Sequence, residues 1–360
     1  MQTDKNIRRS NFELLRIILT LSVIAHHYVV NSGVMDSFNY HQISPQMVYL
    51  QFFGAFGKIA INAFVLITGY FMCTGTFSWK KWLKLYVQIK FYRIAFYLLF
   101  LLTGHSTFDY HVLLETLFST VFLFGTDYAE TYLGLYLLVP WMNKLVDALT
   151  RKEHLRLLGI LLTIFTLFSS FSIFLSVKHA SNDTWNYLGW MVTLYLIGAY
   201  LRRYPLPRIL VGRNAWLLFA GNCILIFLSI LCVDFIGIRV DFGAQYWFVN
   251  DANKLLALTT AVSLFCWFLQ MEMPHIPAVN RIASTAFGVY LIHTVHPTMR
   301  QWLWTDALAV REVYDSGSPV LHSIVSVLAI FCICTLIEAV RVRLMDHILS
   351  QNPHHPKQYS

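Results

Sequence analysis

An all-α, polytopic membrane fold with about ten transmembrane helices is predicted by three observations. The 360 residues are 57% apolar and only 13% charged, against roughly 25% charged for an ordinary soluble domain. The apolar residues collect in runs of about 20, the length that crosses a bilayer. Lys and Arg gather in alternate connections, as they do in polytopic chains with basic cytoplasmic loops.

The runs fall at about 12–31, 52–73, 83–103, 131–149, 157–177, 185–203, 214–234, 254–272, 282–301 and 319–340. The first, NFELLRIILTLSVIAHHYVV, carries Glu13, Arg16, His26 and His27 within its apolar length. The second, FFGAFGKIAINAFVLITGYFMC, runs in the opposite direction and contains Lys58 and Asn62; its Gly54, Gly57 and Gly69 suit close approach of neighbouring helices. The third follows the cluster Lys80, Lys81 and Lys84 and takes Lys90 and Arg93 into its interior. A thirteen-residue apolar run, Val112–Phe124, is too short to span and reads as an interfacial or re-entrant helix. The ninth places Tyr290, His293 and His296 in its outer half. Ten spans with short loops leave residues 1–350 as a single transmembrane unit, followed by the polar tail 351–360.

The net charge of +8 does not indicate nucleic acid, because its cations alternate between loops. Lys5, Arg8 and Arg9, then Lys80, Lys81 and Lys84, then Lys144, Arg151, Lys152 and Arg156, then Arg202, Arg203, Arg208 and Arg213, then Arg341, Arg343 and Lys357 fall on one side. Asn31–Gln51 and Gly104–Glu130 contain no Lys or Arg. The pattern predicts that both termini are cytoplasmic. The first span reads as an uncleaved helix rather than a signal peptide, being too long and containing Glu13 and Arg16. The six cysteines lie in apolar spans without C-x-x-C spacing and read as packing residues.

An ionisable group at membrane depth costs roughly 2.5–3.5 kcal/mol on insertion scales and marks a functional interior. Arg16 and His27 are eleven positions apart, which on an α-helix is roughly 16 Å of rise and about 20° of rotation. They therefore share a stripe, with Glu13 one turn from Arg16 and His26 facing another way. A guanidinium holds phosphate or carboxylate through paired donors, and a neutral imidazole can accept a proton from an alcohol. Lys58 enters the second span near the depth of His27, with Asn62 one turn deeper. Lys90 and Arg93 need an aqueous or anionic surrounding, which predicts an inward-facing funnel for a polyanion. His293 and His296 are three apart, but no third ligand is spaced to complete a metal site, and none is expected.

Together these segments resemble the acyltransferase 3 family of bacterial integral-membrane acyltransferases. The arginine and histidine separated by ten residues in the first helix match Arg16 and His27. FVLITGYF (Phe64–Phe71) resembles the family's second-helix signature, with Thr68 in place of its serine and Asn62 in place of a common acidic residue. TYLGLYLLVPWMNKL (Thr131–Leu145), YLIGAYLRRY at the end of the sixth span, and TAFGVYLIH (Thr285–His293) are similar as well, whereas Tyr128-Ala129 replaces an aromatic pair.

The resemblance implies an inner-membrane O-acyltransferase, most often an O-acetyltransferase, with acetyl-CoA or another acyl-CoA as donor. The acceptor it implies is a hydroxyl of a surface polysaccharide or of its lipid-linked precursor. His27 would serve as general base or carry the acyl group transiently. Arg16, with Lys84, Lys90 and Arg93, would hold the donor, while Lys58, Asn62, Tyr290 and His293 would line the acceptor chamber. No esterase-like domain follows, so the membrane unit is expected to transfer the group alone. Two rival classes share the composition. A polysaccharide polymerase would carry large arginine-bearing outer loops, whereas 32–51, 104–130, 235–253 and 302–318 are modest. A transporter or flippase would show broken half-helices in paired repeats, which the sequence does not reveal.

Overall fold

Why the described residues are helical throughout follows from the bilayer. With no water to satisfy backbone groups, each segment must close its own hydrogen bonds. A computed structural model describes residues 9–171, 186–240 and 246–350, and every regular element among them is a helix. The tail 351–360 and part of the loop 235–253 lie outside the described residues, as do the end of the run 157–177 and the start of 185–203.

The first run is α1 (Ser10–Val30). The second is entered earlier than its hydropathy suggests: Ser44 caps α2 (Pro45–Gly54) through the Met47 amide, and α3 (Gly57–Met72) continues after a two-residue irregularity. Ser78 caps α4 (Trp79–Leu102). The short run 112–124 forms α5 (Tyr110–Leu117) and α6 (Ser119–Phe122), folded back on α4 and too short to span. Asp127 caps α7 (Tyr128–Ala148), which contains Pro140. A Thr150/Glu153 capping box starts α8 (Arg151–Leu162), which passes through a π-helical segment into α9 (Phe168–Phe171). Then follow α10 (Tyr187–Arg203), α11 (Arg213–Val240) and α12 (Leu255–Gln270). The last are α13 (Pro277–Ala283), α14 (Ala286–Thr294), α15 (Pro297–Gln301), α16 (Val310–Asp315) and α17 (Pro319–Ser350).

Among the described residues, six helical stretches are long and apolar enough to cross a membrane: Ser10–Val30, Pro45–Met72, Trp79–Leu102, Arg151–Phe171, Arg213–Ile238 and Pro319–His347. The other four expected spans do not meet that standard, each for a physical reason. α7 carries Glu130, Lys144 and Asp147 within its length. α10 and α12, at 17 and 16 residues, reach only about 24–26 Å against a hydrocarbon core of about 30 Å. The expected span 282–301 is not one helix. Pro297 has no amide hydrogen and forces His296 into an extended conformation (φ −111°, ψ 133°), which ends α14.

The helices α1, α3 and α10 form the centre. Of the best apolar window, 67% is buried in Pro45–Met72 but only 22% in α11, so α11 is peripheral. Its Ile224, Leu225 and Leu228 face outward, as do Leu321, Leu328 and Leu336 of α17; on a membrane protein these are lipid-facing surfaces. Polar clasps gather several helix ends. Asn11 Nδ2 donates to the carbonyls of Phe268 (2.7 Å) and Met271 (3.2 Å), tying the start of α1 to the end of α12. Gln270 links α12 to Leu210 and Gly212 ahead of α11. Asn143 of α7 donates to Met72 at the end of α3 (3.0 Å), and Arg203 of α10 pairs with Asp147 of α7. This level, with Arg9, Arg202 and Arg203, is the basic end of the molecule.

Helices α3 and α10 meet backbone to backbone. A Cβ on Gly69 would press into the Tyr195 carbonyl, and one on Gly198 would press into the Leu66 carbonyl. Overpacking of this kind typically costs about 1–3 kcal/mol. Gly69→Ala is therefore expected to lower the thermal midpoint of the detergent-purified protein or its monodisperse yield. Gly159→Ala, where a Cβ meets nothing within 4 Å, should lower neither; equal behaviour of the two variants would contradict the close packing.

Candidate active site

Helix α1 presents Arg16, Thr20, Val23 and His27 in sequence along one face, at the i, i+4, i+7, i+11 spacing of a single stripe. At the basic end, the Arg16 NH1 group donates to Glu13 Oε1 at 2.6 Å. Only 4% of the Glu13 side chain is exposed, so one arm of the guanidinium is fixed by a buried carboxylate. No other hydrogen bond among the described residues engages the Arg16 guanidinium, and it opens onto a cavity of about 350 Å³. The cavity runs between α1, α3, α7 and α14 past Thr20, Phe64, Thr68 and Tyr132 to Tyr128 and Tyr290. Among the described residues, Arg16 is the one cation lining it. The walls are otherwise apolar or hydroxylated, with Thr68 Oγ1 and Tyr132 Oη sharing a hydrogen bond of 3.1 Å. Its size suits a small molecule or an extended arm of a larger one.

At the opposite end of the stripe, His27 Nδ1 lies 3.0 Å from His293 Nε2, and His293 Nδ1 lies 2.6 Å from the Val289 carbonyl. A carbonyl only accepts, so His293 Nδ1 carries the hydrogen and donates. With both rings neutral, His293 Nε2 then has the lone pair, and His27 Nδ1 must be the donor to it. His27 Nε2 is left with its lone pair, makes no hydrogen bond among the described residues and is not sealed from its surroundings. The backbone of α14 thus sets the tautomer of a histidine on α1. An unprotonated, partly accessible nitrogen of this kind is the arrangement of a general base.

His26 is differently placed. Its Nδ1 meets the Gly54 carbonyl at 2.7 Å, and its ring fills the space a side chain at Gly57 would need. That makes it a packing residue between α1 and the second span. The cavity and the histidine pair meet at Tyr290, which lines the cavity and sets its ring edge-on to His293 at 6.2 Å. Tyr128 stands edge-on to Tyr290 at 5.4 Å. Arg16 and His27 therefore share a face but not a cavity wall, since the void ends at these tyrosines and His27 lies beyond them.

Lys58 is half-buried and takes part in no hydrogen bond or ion pair among the described residues, within electrostatic range of His27 and of Asp251. Asn62 is not open to a ligand. It is fully buried, donating to the Ala252 carbonyl (2.6 Å) and accepting from Trp190 Nε1 (2.9 Å). It joins α3, α10 and the approach to α12, with both ends of its amide engaged inside the protein. Lys84 is exposed on α4 beside Leu85, which lines the cavity.

Lys90 and Arg93 stand apart from these residues, and neither borders the Arg16 cavity. Arg93 Nε donates to Glu130 Oε1 (3.1 Å), its NH1 to the Val295 carbonyl (2.9 Å), and its NH2 lies 3.5 Å from Asp127. Lys90 Nζ donates to Ser119 Oγ, which donates on to Glu130 Oε1, both at 2.5 Å. Two cations thus meet two carboxylates in a closed group with no charge to spare for a polyanion. The cap-forming spacing of Asp127 to the amides of Ala129 and Glu130 is the sequence signal that puts both acids at the start of α7. His293 and His296 also part company, for after the Pro297 break His296 stacks on Phe100 (6.3 Å, 18°), away from His27.

No curated protein and no solved structure matches the chain. A family model described as an acyltransferase domain does match, over residues 9–339, and it spans both ends of the Arg16–His27 stripe and every helix from α1 into α17. With that coverage the chain belongs to the acyltransferase 3 family, and the protein is a membrane acyltransferase.

Proposed function

We propose that the protein is an O-acyltransferase of the bacterial inner membrane, with both termini cytoplasmic. In this reading it moves an acyl group, acetyl before others, from cytoplasmic acyl-CoA to a hydroxyl of a surface polysaccharide or its lipid-linked precursor. The observation that carries the reading is the free Nε2 of His27, held as a base by the bond through Nδ1 to His293.

His27 Nε2 removes the proton as the acceptor oxygen attacks the thioester carbonyl. A carbon–oxygen bond forms, the carbon–sulfur bond breaks, and the proton passes from His27 to the departing thiolate, so that ester and free thiol are the products. His293 stabilises the charged imidazole through the shared hydrogen bond. Arg16 holds an anionic or carbonyl group of the donor at the basic end, with Lys84 beside the opening. The cavity then takes the narrow arm of the donor toward Tyr290. Lys58, uncommitted and close to His27, serves the acceptor side. Because donor and acceptor approach from opposite faces, the chemistry takes place where the cavity and the histidine pair meet.

Glycan NMR of cells with and without the gene tests the assignment. Loss of an O-acyl signal from a surface glycan on deletion, restored by the wild-type gene, is the expected result. An unchanged ester pattern with an altered chain length or export of the glycan would instead favour a polymerase or a flippase.

A further inference from the structure

The bonding of Arg93 is out of keeping with the role its charge suggests. The residue is 3% exposed, and its nitrogens bridge two elements: Nε donates to Glu130 and NH2 lies in ion-pair range of Asp127 at the start of α7, while NH1 donates to the Val295 carbonyl just beyond α14. Val295 marks the place where α14 ends. The chain turns at His296 ahead of Pro297, so a carbonyl at this end has no further helical turn to supply its donor. Arg93 supplies it, from a helix more than 200 residues earlier.

We propose that Arg93 is a positioning residue for the histidine pair, with Glu130 and Asp127 as its anchor. By clamping the Val295 carbonyl it fixes the last turn of α14, which carries His293 two residues before. His293 Nε2 then stays within reach of His27 Nδ1 and keeps the lone pair on His27 Nε2. The proposal rests on the reading of His27 as the base. It assigns Arg93 neither donor nor acceptor contact. A planar fork suits this clamp, because Nε and NH1 of one guanidinium donate to Glu130 and to the Val295 carbonyl at once, whereas a lysine offers a single point of charge.

The test is Arg93→Lys, which keeps a cation between Glu130 and Asp127 and gives up the bond to Val295. Turnover should fall on the order of 10²-fold, the scale expected when a reacting group is misplaced by about 1 Å, with KM for acetyl-CoA unchanged. In a His293→Gln background the same substitution should cause no further loss, because the residue through which Arg93 acts is already gone. If Arg93→Lys folds poorly, the pair Arg93→Gln with Glu130→Gln removes the buried Arg93–Glu130 ion pair as a unit and should reproduce the turnover defect.

A second readout needs no activity. In protein with ¹⁵N-labelled histidine, solid-state NMR should show His27 as the single Nδ1–H tautomer in the wild type and as a mixture in Arg93→Lys. Full turnover in Arg93→Lys, an equal loss with and without His293, or a raised KM at unchanged turnover would overturn the proposal. An undisturbed His27 tautomer in the variant would overturn it as well. If the wild-type protein transfers no acyl group at all, the enzymatic reading fails, while the tautomer measurement still decides whether Arg93 positions the pair.

Discussion

Replacing His27 with alanine is expected to abolish acyl transfer while the protein remains in the membrane at its normal level. Loss of a positioned general base costs typically 10²–10⁴-fold, on the order of the whole measurable signal in a cell-based assay. The fold should survive, because the only side-chain hydrogen bond lost among the described residues is the one to His293, worth about 0.5–1.5 kcal/mol. His26→Ala separates this effect from general damage to the same turn of α1. It removes the bond to the Gly54 carbonyl and the ring packed over Gly57, so stability should drop while turnover per folded molecule is retained. Ester content by NMR, normalised to immunoblot level, distinguishes the two variants. A His27→Ala strain with full ester content would remove the basis of the mechanism.

Local pattern was legible in the sequence, and distant pairing was not. The eleven-residue spacing of Arg16 and His27 places both on one face, and the Glu13–Arg16 contact is a one-turn relation that the sequence makes explicit. Six of the ten expected spans correspond to helices long and apolar enough to cross a membrane. The other four fall short for reasons of length, charge or proline. In the run 282–301, hydropathy outweighed Pro297, whose missing amide ends α14 and sends His293 and His296 to different neighbours.

Arg93 shows the limit most clearly. Charge alone suggested an anion funnel, since its carboxylate partner Glu130 lies 37 residues away on another helix and the Val295 carbonyl has no signature in sequence at all. The bonding of Asn62 is hidden from the sequence for the same reason. Its two partners, Ala252 and Trp190, are brought to it only by the packing of α3 against α10 and α12. Conversely, the role of His293 as tautomer-setter depends on a bond to Val289, four residues back on the same helix. That bond lies within the reach of sequence reasoning once His27 is known to face it.

Arg16 is where donor recognition should fail, and the design of the substitution decides what is learned. Arg16→Ala removes the cation that a buried Glu13 pairs with, so a loss of activity there mixes folding with binding. Arg16→Lys keeps a positive charge beside Glu13 and gives up the forked donors that face the cavity. Hydrogen bonds to charged groups contribute about 1.5–3 kcal/mol each, so KM for acetyl-CoA should rise about 10- to 150-fold. Turnover at saturation should stay near that of the wild type, because His27 lies roughly 16 Å along the helix and keeps its bond to His293.

Sealed vesicles of known orientation add the second half of the test. Labelled acetyl-CoA should support transfer only from the side that bears Arg16 and the basic loops, and Arg16→Lys should shift the concentration needed there without opening the other side. A fall in turnover at unchanged KM would move Arg16 from donor binding to the reacting centre. Transfer from the opposite side would reverse the orientation on which the two-sided mechanism is built.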